Sequence, residues 1–190
     1  NHNYYPSTPY AASKLAGELH LLALYKHYNF PVIFTRSVNL YGIHQQLYRI
    51  IPRTIIYLKL RKTIDLHGQG KAMREFIHAR DVADLTLRAI LNGKIGDIYH
   101  FSPNDGLRSI ADVVRLVCDL MNCKFDKSVN LMNENFGQDS VYSLDASKAK
   151  SEFGWEQQVS FENGIRETIK WIDANWEFIK NQPLEYIHKN

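Results

Sequence analysis

Tyr10 and Lys14 lie four residues apart, directly after Thr8-Pro9. A threonine that can cap a helix, followed by a proline for its first turn, predicts that a helix begins here. Side chains four residues apart share one face of a helix, and an ammonium group beside a phenol favours the phenolate. Such a tyrosine could take a proton from a substrate hydroxyl while hydride leaves the same carbon. This pair also occurs by chance on surface helices, so the surrounding residues must decide its meaning.

A second group of polar residues follows a short apolar run. The residues from Val32 to Thr35 are suited to a strand buried on both faces. Ligands of open α/β sheets bind at the carboxyl ends of the strands, and this end carries Arg36, Ser37 and Asn39. Asn39 could equally well satisfy nearby backbone groups in a loop.

The segment from Gly68 to Asp81 is typical of a loop that approaches an anion. Gly68 and Gly70 allow close contact between backbone and ligand, and the Arg74 guanidinium can hold a diphosphate through two parallel hydrogen bonds. The alternative for Arg74 is a surface arginine without a ligand. We expect Asp81 to start a helix rather than to act as a catalyst.

Strand and helix patterns alternate along the chain, which predicts an α/β protein. An apolar stripe of Leu15, Leu19 and Leu22 lies on the first predicted helix. The predicted helices cover residues 8–28, 50–62, 79–91, a segment opened by Ser109, 145–153 and 160–180. The predicted strands cover residues 32–35, 63–67, 75–78 and 97–101, with a further short strand between 123 and 144.

Composition limits the possible function classes. The 190 residues carry a formal net charge of +3, which suits an anionic small substrate, and no run of Lys and Arg indicates nucleic-acid binding. No apolar stretch approaches the roughly 20 residues of a membrane-spanning helix, so we predict no membrane partner. The histidines are scattered, and the spacing of Cys118 and Cys123 fits neither zinc nor a disulfide framework. We therefore assign no metal and expect free thiols in a reducing compartment, the cytoplasm.

These motifs, in this order, resemble a known family. Four segments are similar to those of extended short-chain dehydrogenases/reductases, the NAD-dependent epimerase/dehydratase family. They are Pro9 to Glu18, Phe30 to Gly42, Gly68 to Asp81 and Phe153-Gly154-Trp155. The resemblance is to the nucleotide-sugar branch. A segment near residue 139 resembles that of nucleoside-diphosphate-sugar dehydratases, but Asn135 and Gln138 replace an arginine and a histidine.

The resemblance implies a fold class. It is the C-terminal part of a Rossmann-type doubly wound parallel sheet together with a smaller α+β substrate-binding lobe. Residues 1–42 and 80–101 would belong to the NAD-binding part, and residues 43–79 and 102–190 to the lobe. The chain contains no Gly-x-x-Gly-x-x-Gly turn, so we expect it to be the C-terminal portion of a longer enzyme.

The resemblance also implies roles for individual residues. Tyr10 would deprotonate the 4-hydroxyl of a sugar while hydride passes to NAD, and Lys14 would support Tyr10 and bind the cofactor ribose. Tyr10, Lys14 and Ser37 are the cofactor-binding candidates. The candidates for binding a nucleoside-diphosphate sugar are Asn39, Arg49, His67 and Arg74. A solvated arginine is the alternative for Arg49, and His67 would lie against the nucleobase.

The implied reaction is 4,6-dehydration of a nucleotide sugar. Epimerisation at C4 and decarboxylation remain alternatives within the family. A non-catalytic sugar-nucleotide-binding or dimerisation module is the alternative from another class. In this family the helix that begins at Pro9 packs against its copy in a second subunit, which implies a homodimer; packing on the chain's own sheet is the alternative.

Overall fold

Short parallel strand pairs and the helices between them give the chain an α/β fold. The computed structural model describes residues 4–133 and 140–185. The helices are α1 (Pro9–Tyr28), α2 (Ile50–Lys59), α3 (Ala79–Asn92), α4 (Ile110–Leu120), α5 (Phe125–Ser128), α6 (Ser147–Phe153), α7 (Phe161–Ala174) and α8 (Trp176–Ile179). The strands are β1 (Phe34–Ser37), β2 (Asn39–Tyr41), β3 (Ile64–Leu66), β4 (Met73–Arg74), β5 (Phe76–His78), β6 (Ile98–Phe101), β7 (Arg108–Ser109), β8 (Val129–Leu131) and β9 (Val141–Tyr142). A 3-10 turn, His67–Gly70, follows β3.

Most strand pairs are parallel. β1 pairs with β6, β2 with β5 and β3 with β8, all in parallel. β4 lies between antiparallel β7 and parallel β9. The first strand was predicted at residues 32–35, and it lies two residues later because its partner fixes the register, with Phe34 opposite Ile98. Strand β2 was not predicted as a strand; its partner β5 is more than thirty residues away in the chain.

Helix α1 begins where the sequence predicts. The Ala11 N–H donates to the Thr8 hydroxyl at 3.1 Å, and Pro9 occupies the first turn. None of its residues is buried, so the predicted leucine stripe does not pack into this chain's own core. Contacts of the helix with other described residues include an ion pair and a ring contact. Arg36 of β1 pairs with Glu18 (Arg36 Nε to Glu18 Oε2, 3.2 Å), and the Tyr25 ring packs against Gly96, where a Cβ would come within 2.4 Å of the ring.

Two clusters of buried apolar side chains form the interior. The larger cluster joins α2, α4 and α7 and includes fully buried Ile55 and Ile165. Each such isoleucine contributes about 1.5–3 kcal/mol to folding. The smaller cluster contains Leu85 and Tyr99 from the proposed NAD-binding part, but also Trp155 from the proposed lobe. The division into residues 1–42 with 80–101 and 43–79 with 102–190 therefore stays a proposal, and packing joins the two parts.

The predicted last helix, residues 160–180, is interrupted. α7 ends at Ala174 and the short α8 follows Asn175. The Asn175 side-chain amide donates to the Trp171 carbonyl oxygen at 2.8 Å, so it uses an acceptor of the last helical turn. Asparagine competes with the helix backbone in this way, which explains the break.

Two broad features of the described residues bear on function. None of the helices formed by residues 4–133 and 140–185 is long and apolar enough to cross a membrane. Within the same ranges, no group of three or more His, Cys, Asp or Glu side chains is arranged to hold a metal ion.

Candidate active site

A cavity of about 930 Å³ brings together residues that are far apart in the sequence. It lies at the carboxyl ends of β1 and β3 and along β2, where ligands of open α/β sheets bind. Lys14 is not among the residues that line it. The lining includes six of the seven predicted site residues: Tyr10, Ser37, Asn39, Arg49, His67 and Arg74.

Tyr10 lies in the first turn of α1, at the edge of the cavity. Its side chain is 74% exposed, and Lys14 is also exposed one turn further along the same helix face. The Tyr10 backbone carbonyl accepts a hydrogen bond from the Ser13 hydroxyl at 2.8 Å. The Tyr10 phenol is therefore accessible to a ligand from the cavity side.

Ser37 and Asn39 flank the short step from β1 to β2. The Ser37 carbonyl oxygen accepts a hydrogen bond from the Tyr142 hydroxyl at 3.4 Å. Both the backbone N–H and the side-chain amide of Asn39 donate to the Glu75 carbonyl oxygen, each at 3.2 Å. This contact favours the structural interpretation of the Asn39 nitrogen and leaves its side-chain oxygen for a ligand.

Three arginines give the cavity its positive charge: Arg49, Arg53 and Arg74. Arg74 lies on β4 and donates to the Met73 carbonyl oxygen at 2.8 Å. Arg49 immediately precedes α2, and its guanidinium lies 5.5 Å from the centre of the Tyr48 ring. Guanidinium groups that surround a cavity favour phosphate oxygens.

Arg53 was missed by the sequence analysis. It lines the cavity, and its Nε is buried without a hydrogen-bond partner among the described residues. A buried donor without a partner is rare, and a bound anion would satisfy it. Its spacing from Arg49, one helical turn, could have identified it, since both then share one face of α2.

Glu75 connects chain segments next to the cavity. One of its carboxylate oxygens accepts from the Ser102 hydroxyl at 2.9 Å and from the Leu144 N–H at 3.1 Å. Ser102 follows β6 and Leu144 follows β9, so a single side chain links both to β4 and β5. Tyr142, opposite Arg74 on β9, is held over the cavity by this arrangement.

The side chains of Tyr41 and His78 are buried and pack against each other, and Tyr41 is part of the cavity wall. The Tyr41 hydroxyl donates to the Phe161 carbonyl oxygen at 3.3 Å, and its ring meets His78 edge-on at 5.2 Å. Burial raises the pKa of Tyr41 above its ordinary value, and the nearby carboxylates of Asp105 and Asp81 add to this effect. Tyr41 therefore remains a neutral phenol and is unsuited to act as a base.

His67 and Asp81 have separate positions. His67 is exposed at the start of the turn after β3 and lines the cavity. Asp81 is buried in the first turn of α3 and accepts from the backbone N–H groups of Gln158 and Val159, at 2.9 and 3.3 Å. His78, not Asp81, caps the helix, so Asp81 joins α3 to a loop. Asn135 and Gln138 lie outside the described residues.

The family follows from a comparison of sequences. The sequence model of the NAD dependent epimerase/dehydratase family matches residues 1–101, more than half of the chain. The chain belongs to this family.

Proteins similar to this epimerase/dehydratase chain include dTDP-glucose 4,6-dehydratases. A dTDP-glucose 4,6-dehydratase of Haemophilus influenzae is 31% identical over 182 residues, covering 90% of this chain and 54% of the relative. The crystal structure of a Bacillus anthracis dTDP-glucose 4,6-dehydratase in complex with NAD matches with a TM-score of 0.84 at 29% identity, covering 94% of this chain and 58% of that chain. DesIV, a dTDP-glucose 4,6-dehydratase from Streptomyces venezuelae with NAD and TYD bound, gives 0.83 at 29% identity, covering 94% and 56%.

The chain thus spans about half the length of these relatives. Their Rossmann-type architecture agrees with the predicted fold class. The matches do not bear out the expectation that this chain is the C-terminal portion of such an enzyme.

Proposed function

We propose that this chain provides the catalytic pair and the substrate cavity of an NAD-dependent nucleotide-sugar 4,6-dehydratase. The observation that carries the proposal is the cavity, in which an accessible tyrosine and three arginines meet at the carboxyl ends of strands. Oxidation of a nucleoside-diphosphate sugar requires both: a base beside the sugar and cations beside the phosphates.

The residues fit the nicotinamide end of NAD. Hydroxyl and ammonium groups are suitable partners for ribose hydroxyls; Tyr10 and Ser37 offer hydroxyls at the cavity, and Lys14 offers an ammonium one helical turn from Tyr10. NAD, when bound, accepts the hydride from C4 of the sugar. Tyr10 takes the proton of the 4-hydroxyl, and the Lys14 ammonium stabilises the phenolate that precedes this transfer.

The cationic residues orient the substrate. Arg74 and Arg53 bind the diphosphate, and Arg49 adds charge at the start of α2. The Asn39 side-chain oxygen accepts from a ligand hydroxyl, and His67 lies against the nucleoside. These contacts hold the C4 hydroxyl group beside Tyr10, so that the proton leaves the hydroxyl oxygen while the hydride leaves C4.

Product analysis tests the proposal. The protein expressed from its complete gene is incubated with NAD and a panel of nucleotide sugars, and the molecular masses of the products are measured by mass spectrometry. Dehydration removes one water from the sugar, whereas epimerisation leaves the mass unchanged and decarboxylation removes carbon dioxide. Nucleotide-sugar binding without turnover would instead support the non-catalytic module.

We also propose that two copies associate through α1 and that the protein works in a reducing compartment, the cytoplasm. Association is supported because no residue of α1 is buried and the apolar side chain of Leu19 on this helix is 49% exposed. Free Cys118 and Cys123 support the compartment. Light scattering on wild type and Leu19→Glu tests the dimer; an unchanged mass in the variant contradicts it.

A further inference from the structure

One acidic side chain lies in the cationic cavity. Asp65 lines the cavity together with the three arginines, and no other Asp or Glu of the described residues lines it. A carboxylate opposes the binding of a diphosphate, because like charges repel. Its presence therefore calls for a part of the ligand that offers hydrogen-bond donors.

The Asp65 carboxylate is oriented by its neighbour across the sheet. Asp65 is exposed on β3 between buried Ile64 and Leu66, and it lies in register with Asn130 of β8. The Asn130 side-chain amide donates to Asp65 Oδ1 at 3.0 Å. Oδ2 accepts no hydrogen bond from any described residue. The cavity thus contains a carboxylate that is held in place, with Oδ2 and the second lone pair of Oδ1 available to a ligand.

Neighbouring contacts along the cavity lead from the proposed catalytic tyrosine through Arg74 to Asp65. Tyr142 bonds to the backbone of Ser37 at the Tyr10 end, and it lies opposite Arg74 on β4. The turn His67–Gly70 then leads from β4 back to β3, which carries Asp65. The parts of a nucleotide sugar follow each other in the order sugar, diphosphate and nucleoside. With the sugar at Tyr10 and the diphosphate at Arg74, the base lies at Asp65.

We infer that Asp65 selects the base and that the ligand is a guanosine diphosphate sugar; this inference rests on the proposed function. Guanine offers two neighbouring donors, a ring N–H and an amino group, which one carboxylate can accept together. Thymine and uracil offer one N–H between two carbonyl oxygens, and these oxygens are repelled by the carboxylate. Adenine and cytosine place a ring acceptor beside the amino group. Selection therefore includes rejection of the other bases.

Two other roles for Asp65 make different predictions. As a cross-strand partner of Asn130 alone, it would affect the stability of the β3–β8 pair and not base preference. As an acceptor for ribose hydroxyls, it would strengthen the binding of every nucleotide equally, since all share the ribose.

Titration calorimetry separates these roles. GDP, dTDP, UDP, ADP and CDP are titrated into the protein expressed from its complete gene, as wild type, Asp65→Asn and the control Asp119→Asn, whose carboxyl is exposed outside the cavity. We expect wild type and control to bind GDP at least about tenfold more tightly than each other nucleotide. In Asp65→Asn the preference falls below about threefold, mainly through weaker GDP binding, with an unchanged melting temperature.

Each contrary result has its own meaning. If wild type binds any other nucleotide as tightly as GDP, or if Asp65→Asn keeps the full preference, the base-selecting role is wrong while the proposed function stands. An equal loss for all nucleotides in the variant assigns Asp65 to the ribose and also overturns the inference. If no nucleoside diphosphate binds to wild type, the proposed function fails and the inference fails with it.

Discussion

At the scale of single residues, the proposed base and the proposed anion site lie in one cavity, and the proposed base is not buried. Tyr10 is exposed, whereas Tyr41 in the same cavity wall is buried, and burial raises the pKa of Tyr41 above its ordinary value. The two phenols therefore differ in chemistry through their surroundings alone. Of these two phenols, the accessible one, with an ammonium one helical turn away, is the one that we propose for proton transfer.

The Tyr10→Phe substitution separates chemistry from binding. We expect kcat to fall at least about a hundredfold with a small change in KM, because the ring remains and only the proton acceptor is lost. Steady-state kinetics of the protein expressed from its complete gene measure this. The control is Tyr28→Phe, an exposed tyrosine at the other end of α1. Retained turnover in Tyr10→Phe would require another base.

The Arg74→Lys substitution tests the anion site. A lysine cannot reproduce the two parallel hydrogen bonds of a guanidinium, so we expect nucleotide-sugar binding to weaken by about 1.5–3 kcal/mol. NAD binding should not change, because different residues are proposed for the cofactor. Calorimetry with both ligands measures this, with exposed Arg166→Lys as the control. An equal loss for both ligands would indicate a folding defect.

At the scale of elements, buried polar side chains join loops to helices. Asp81 in the first turn of α3 holds the 158–159 loop through two backbone N–H groups. We expect Asp81→Ala to lower the free energy of unfolding by at least about 2 kcal/mol, since the buried Val159 N–H and the part-buried Gln158 N–H would both lose their acceptor.

Urea denaturation measures the effect of Asp81→Ala. The exposed Asp119→Ala serves as the control and should change the free energy of unfolding by less than about 0.5 kcal/mol. A small effect at Asp81 would mean that water replaces the carboxylate.

Local signals predicted some elements and missed others for a physical reason. Thr8-Pro9 contains the whole signal for the start of α1, because a cap acts within three residues. The position of β1 and the existence of β2 depend on pairing with distant strands. Asp65 was missed likewise, because only folding brings β3 to the cavity, whereas Arg53 was missed although its one-turn spacing from Arg49 is a local signal. The break at Asn175 follows from one side-chain hydrogen bond that a period of 3.6 residues does not reveal.

At the scale of the whole molecule, His78 links stability to pH. It is buried between α3 and α7, where its Nδ1 accepts from the Arg80 N–H at 3.3 Å and its Nε2 lies 3.5 Å from a Glu167 carboxylate oxygen. Burial lowers the pKa of His78, although Glu167 opposes this shift. The unfolded chain then binds a proton more readily than the folded one, so this contribution to stability is present above the unfolded pKa and is lost as the pH falls.

We therefore expect the free energy of unfolding to decrease from about pH 7.5 to about pH 5.5. His78→Asn retains a capping acceptor that does not titrate and should show a smaller decrease. Urea denaturation at both pH values measures the difference, with exposed His20→Asn as the control. Equal slopes in wild type and His78→Asn would exclude His78 as the source.

The contacts of α1 make the position of Tyr10 sensitive to ionic strength. The helix carries the tyrosine, contributes no residue to the buried interior and is tied to β1 by the pair between Arg36 and Glu18. Dissolved ions weaken a half-exposed charge pair, whereas sodium chloride at moderate concentration changes the apolar clusters little. Added salt should thus impair turnover at concentrations that leave the melting temperature unchanged. The cause would be displacement of α1, and with it Tyr10, rather than unfolding of the chain.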